Sequence, residues 1–241
     1  MQNKLPKLFD KHKICVICEG NEEYEYLERL KALKVWDAQY EIISDNAGGN
    51  GNIPARYQDS YQNGSYELVL VFCDTEKKPY EQYEDIKRKI NEFHGIETAA
   101  DEVIMFGNPC TMQIIAKHWT EALIKTPAKP VNAPLIEEFT GVPNYKGRTD
   151  QIEAVMEHIT AENLYEQYKY LLETSEKHFY VCGDVDEESI KYFFCSKFEE
   201  RESNNELKKL TKPIIENDTV KEIVEKMDVT QGKLVLGYDV D

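Results

Sequence analysis

Three acidic residues stand where two apolar runs stop. Ile14 to Cys18 ends on Glu19-Gly20, and Leu68 to Cys73 ends on Asp74-Thr75-Glu76. Each run is too short for a helix of its own and reads as a buried parallel strand that delivers carboxylates to its C-terminal end. In an open α/β sheet that edge is where ligands sit. Two such strands, separated by one further β-α unit, can bring Glu19, Asp74 and Glu76 to one cation.

The elements that must position them follow from periodicity. After the first strand, Glu22 to Leu33 carries apolar or aromatic side chains at Tyr26, Leu27, Leu30 and Leu33, a helical spacing. A second strand at Tyr40 to Ile43 runs into the Asn46 to Asn52 turn, and Asn52 and Pro54 suit the start of a short helix. A third strand covers Tyr66 to Cys73, followed by a helix over Tyr80 to Phe93. A fourth covers Val103 to Phe106, followed by a helix over Thr111 to Ile124. Four β-α units with right-handed crossovers predict a Rossmann-like parallel sheet flanked by helices.

Three prolines between Thr126 and Pro134 predict a linker without regular structure. Beyond it, helical patterns occupy Gln151 to Ile159 and Glu162 to Leu172. An apolar run covers His178 to Cys182, a charged helical pair or tail covers Glu187 to Met227, and a last strand covers Lys233 to Tyr238. The expected organisation is an α/β domain over residues 1–125, a linker over 126–134, and a mainly helical region over 135–241.

Composition fits a globular α/β chain: of 241 residues, 41% are hydrophobic, enough to bury a real core. Met1 to Lys7 lacks the apolar stretch of a secretory signal and nothing reaches membrane-spanning length, so a cytoplasmic location with no membrane partner is expected. Five of the six cysteines sit in apolar runs, as reduced buried thiols do. Cys15 and Cys18, three apart on a strand, point to opposite faces and cannot share a zinc ion. The net charge of −16 argues against broad, tight, non-specific binding to nucleic acid. It is uneven: residues 1–130 hold 16 basic and 21 acidic side chains, the remainder 13 and 24. A bound divalent ion would offset part of the N-terminal deficit.

The order of strand, Glu-Gly, about fifty residues, strand and Asp-x-acid resembles the Toprim superfamily, and more narrowly its RloB-like branch. Glu19-Gly-Asn-Glu-Glu-Tyr-Glu-Tyr-Leu27 matches that branch's first motif at Glu19, Gly20, Glu23 and Tyr26, with Glu22 in place of a Thr. Asp74-Thr75-Glu76 stands for its Asp-x-Asp. Asn108, Pro109 and His118 match a third motif, in which Thr111, Met112 and Ile114 replace Phe, Glu and Trp. The resemblance covers residues 12 to 125. It implies a Mg2+-dependent (or Mn2+-dependent) phosphodiester-cleaving nuclease acting on DNA or RNA in bacterial phage defence, with restriction or defence-system proteins and a second copy of the chain as expected partners.

Under that reading Glu19, Asp74 and Glu76 are both catalytic and metal-binding, because metal ions neutralise the phosphate and activate water. Gly20, Glu23, Asn108 and His118 would support them, Gly20 by letting backbone approach phosphate closely. Structural roles compete. Glu22 and Glu23 also suit a helix N-terminus, Asp74 also suits a turn cap, His118 also suits a hydrogen-bonded core position, and the Gly48 to Gly51 loop reads as turn chemistry. A second Asp-x-Asp at Asp184 and Asp186, and a terminal one at Asp239 and Asp241, read as structural. With Met112 where an acid is usual, the alternative is a catalytically degenerate binding or assembly module.

Overall fold

The computed structural model describes residues 12–34, 40–63, 66–77, 79–120, 122 and 124–163, together with the backbone of four short strands further on. The chain order is β1 (His12–Cys18), α1 (Asn21–Ala32), β2 (Tyr40–Asn46), a 3-10 turn (Asn50–Asn52), α2 (Ile53–Asn63), β3 (Leu68–Asp74), α3 (Glu81–His94), α4 (Ala99–Val103), β4 (Ile104–Gly107), α5 (Met112–Ala116), α6 (Lys129–Thr140) and α7 (Thr149–Glu157). The later strands are β5 (Tyr180–Asp184), β6 (Ser189–Tyr192), β7 (Met227–Thr230) and β8 (Lys233–Leu236), which form two antiparallel pairs.

β1 to β4 make one parallel sheet in the order β2-β1-β3-β4. The chain leaves β1 to one side for β2 and returns to its other side for β3. This reversal opens a crevice beyond the C-terminal ends of β1 and β3, the place where doubly wound sheets hold ligands. Register sets the depth: Cys18 lies opposite Phe72, and Asp74 opposite Gly107. β3 is buried along its whole length, because helices cover both faces and an uninterrupted apolar run is what such a strand needs. Tyr26, Leu27 and Leu30 of α1, with Ile86 and Ile90 of α3, complete the core at helical spacing. The four described cysteines, Cys15, Cys18, Cys73 and Cys110, are buried free thiols.

Two expectations are corrected here. The helix over Thr111 to Ile124 is only α5, because Gln113 stops it: its side chain accepts the Ile124 N–H at 2.6 Å and donates to the Ala122 carbonyl at 3.4 Å, folding the chain back. Residues 126–134 are not all irregular, since α6 begins at Lys129. Pro130 sits in its first turn, where a missing N–H costs nothing, and Pro134 removes one further bond while Ala133 and Ile136 bury themselves. Within the segment expected as a charged helical pair or tail over Glu187 to Met227, Ser189–Tyr192 is instead strand β6 and Met227 begins β7; its other residues, and most of Glu162 to Leu172, lie outside the described residues. No helix among the described residues is long and apolar enough to cross a membrane.

Candidate metal centre

Glu19 follows β1 directly, and its backbone N–H donates to the Phe72 carbonyl at 2.9 Å, so the β1–β3 ladder carries it to the sheet edge. Its side chain turns across that edge: the Asp74 N–H donates to Glu19 Oε2 at 2.8 Å. Thr75 stays in register with Gly107 through a 3.0 Å backbone bond, and the chain then swings away. Glu76 has φ +60°, a left-handed conformation that costs a non-glycine residue about 1–3 kcal/mol and gathers at functional sites. Strand alternation therefore does not place Glu76; a turn does. One ligand oxygen from each of Glu19, Asp74 and Glu76 lies within 4.8 Å of the other two. Cation–oxygen distances of about 2.0–2.6 Å put ligands on opposite sides of one ion at most about 4–5 Å apart, so the spacing suits a single hard cation.

Asp74 is held from the far side of the crevice. Thr111 N–H and Thr111 Oγ1 donate to Asp74 Oδ1 at 2.5 and 2.6 Å, which fixes the carboxylate and leaves Oδ2 out of both bonds. Gly107 makes this possible: a Cβ there would sit 2.6 Å from the Cys110 carbonyl oxygen and 2.8 Å from Thr111 N, pushing the loop off Asp74. Sequence reasoning places Thr111 at the start of a helix and as a departure from a motif; its side chain makes no cap bond to α5 and goes to Asp74 instead, a contact that no local pattern signals.

The surroundings of the cluster disfavour its ionised form. Burial, then the neighbouring Glu23, pushes the Glu19 carboxyl up to about 8, with Glu76 and Glu22 adding and the Asp74 amide opposing. Burial, then Glu23 and Glu19, holds Asp74 well above the usual carboxylate range against the Thr111 hydrogen bond. Glu23 is raised by burial and by Glu22. A positive charge placed among the three would lower each of these pKa values.

The trio opens on a cavity of about 240 Å³ whose other wall is Lys129, Asn132 and Ile136 of α6 with Tyr145 and Gly147 beyond it. There Glu22 is neutralised by the protein itself. Its Oε1 accepts from Tyr145 Oη at 2.7 Å and pairs with the Lys129 ammonium. Burial works against the Lys129 charge, yet Glu22, Asp74 and Glu23 hold its proton more tightly than usual.

The supporting residues separate. Glu23 caps α1 by accepting the Gly20 N–H at 2.9 Å and also lines the cavity. Gly20 lines the cavity too, but its φ of −150° is ordinary and an added Cβ would meet only Glu23 Oε2 at 3.7 Å, so close approach does not require a glycine. Asn108 is buried and accepts from Thr75 Oγ1 at 3.2 Å, bracing the turn after Asp74. His118 is away from the cavity lining, paired with Tyr26 Oη at 2.8 Å, and burial lowers it to about 4. Asp184 ends β5, while Asp186, Asp239 and Asp241 lie outside the described residues.

Residues 158–241 match the family model described as the peptidase M16 inactive domain. A stretch of 89 residues is 38% identical to the probable inactive metalloprotease YmfF of Bacillus subtilis (strain 168), covering 33% of this chain and 18% of that protein. No solved structure matches the chain. These likenesses correct the resemblance drawn from the motifs. They run to the M16 peptidases and not to the RloB-like Toprim proteins, and both descriptions carry the word inactive. The expected Mg2+-dependent nuclease, its phosphodiester hydrolysis and its phage-defence setting are overturned with it. The motifs that suggested them lie between Glu19 and His118, whereas the family match begins at His158.

Proposed function

We propose that the chain is a catalytically silent binding or assembly module whose sheet edge holds one divalent cation, Mg2+ or Mn2+, through Glu19, Asp74 and Glu76. The convergence of three carboxylate oxygens within 4.8 Å carries this reading. All-oxygen donors suit hard cations, and the raised Glu19 and Asp74 carboxyls mark charge the fold does not neutralise by itself. The likeness to proteins described as inactive favours a binding role over turnover.

In this role the bound ion supplies positive charge at an edge that is otherwise acidic. Thr111 orients Asp74, the Asp74 amide orients Glu19, and the Glu76 turn closes the set. The net charge of −16 makes broad contact with nucleic acid unfavourable, which favours a protein partner over a polyanion. The test is a hydrolysis panel of single-stranded, duplex and peptide substrates with Mg2+ or Mn2+, beside Asp74→Asn. The expected result is no turnover by either protein; cleavage that depends on Asp74 would contradict the reading.

A further inference from the structure

Eight ionisable side chains line the cavity, among them the carboxylates of Glu19, Glu22, Glu23, Asp74 and Glu76 and the amine of Lys129. They are not evenly served. Three carboxylates converge at one end, whereas at the other a single Glu22 oxygen takes both the Lys129 ammonium and the Tyr145 hydroxyl. Glu22 is only 7% exposed, so without a partner its charge would be costly.

The approach of the amine is built into the fold. Lys129 is the first residue of α6, ahead of Pro130, and its ammonium lies 5.9 Å from the centroid of the Tyr145 ring. Its stem runs over Gly147. A Cβ on that glycine would stand 2.7 Å from Nζ and 2.9 Å from both Cδ and Cε, and the φ of +71° there also favours glycine. The missing Cβ leaves room for the lysine, and the positive φ separately favours glycine there.

Resting on the reading of the trio as a cation site, we propose that the Lys129 ammonium is a tethered second cation, which fills the Glu22 end of the cavity so that the cavity takes one divalent ion and not a pair. Paired metal sites place two ions about 3.5–4 Å apart and share carboxylates between them. Glu22 and Glu23 are the carboxylates a second ion would need, and the ammonium on Glu22 repels any ion approaching them. Lys129 is a specificity-determining residue that sets how many ions bind, and Gly147 is the residue that lets it reach.

The test is calorimetric titration of the full chain with Mn2+ at pH 8, with folding of every variant checked by its melting curve. Wild type and Lys129→Arg are expected to bind one ion. Lys129→Met, which removes the charge, and Gly147→Ala, which keeps the amine but drives it off Glu22, are expected to bind two. One ion of unchanged affinity in both of these variants, or two ions in wild type, would overturn the proposal while leaving the trio as a site. If Lys129→Met fails to fold, Gly147→Ala against Lys129→Arg decides. Binding to none of the proteins, Lys129→Met included, would remove both the trio and the tethered cation.

Discussion

Glu19 and Glu22 lie three residues apart and line the same cavity, yet the fold treats them differently. Glu22 is met by an ammonium and a hydroxyl from the segment around α6. Glu19 is met by neutral donors alone, the Asp74 amide at 2.8 Å and the Asn50 side-chain amide at 2.5 and 2.7 Å, and it faces Asp74 and Glu76 with no cation among its partners. The first arrangement is complete without anything added. The second keeps like charges within 4.8 Å in a buried crevice, which a folded protein tolerates where something else supplies the opposite charge. A ligand is therefore to be sought at the carboxylates that hold neutral donors but no cation.

The largest effect that sharpens the contrast is on cation-linked stability. At a Mg2+ concentration of about 100 times Kd, wild type gains about 2.7 kcal/mol by mass action, read as a rise in melting temperature. Asp74→Asn is expected to show almost none of that rise, with a cation-free melting temperature no lower than wild type, since repulsion has been removed. Equal rises in both would erase the difference between the two walls. The gain also depends on pH. With the folded Glu19 carboxyl at about 8 against an ordinary 4.5, its ionisation weakens the fold progressively as pH climbs through that window, and protons compete with the cation. The Mg2+-induced rise should therefore grow from pH 6 to pH 8 and shrink below.

Thr111→Ala removes a hydroxyl donor from a buried carboxylate and should cost about 1.5–3 kcal/mol in denaturant unfolding, while weakening cation binding because Asp74 is no longer aimed. A stability loss with unchanged affinity would show that Thr111 serves the fold alone. On the other wall, Tyr145→Phe should cost about 1 kcal/mol, since Lys129 still covers the Glu22 oxygen, and should leave affinity at the trio intact. Gly20→Ala is the smallest, within about 0.5 kcal/mol, because the added Cβ meets nothing closer than 3.7 Å.

The trio was legible because each carboxylate ends or closely follows an apolar run, and parallel pairing of β1 with β3 brings those ends together. The other wall was not. Thr111, Lys129 and Tyr145 reach their partners across 37, 107 and 123 residues, and no local spacing records such contacts. Gln113 cut short a helix that periodicity extended to Ile124, since a side chain capturing the Ile124 amide leaves no trace in an apolar pattern. Proline count misled at α6, where Pro130 falls in the one turn that accepts it. Motif order misled about family: the matched segments near Glu19, Asp74 and Asn108 describe the edge of a parallel sheet, and that edge belongs to many folds. The family signal lies in residues 158–241, where helical patterns, one apolar run, a last strand and two structural Asp-x-Asp pairs carry no motif of that family that local spacing would reveal.

Occupancy of Glu19, Asp74 and Glu76 by one divalent cation is the proposal on which the others depend. It is tested most directly by counting bound Mn2+ at pH 8 from the loss of the free-ion paramagnetic resonance signal, in wild type and in Asp74→Asn. One ion per wild-type chain, with affinity at least tenfold weaker in the variant, about 1.4 kcal/mol, is the predicted result. The same count and affinity in both proteins, or no bound ion in wild type, would contradict it.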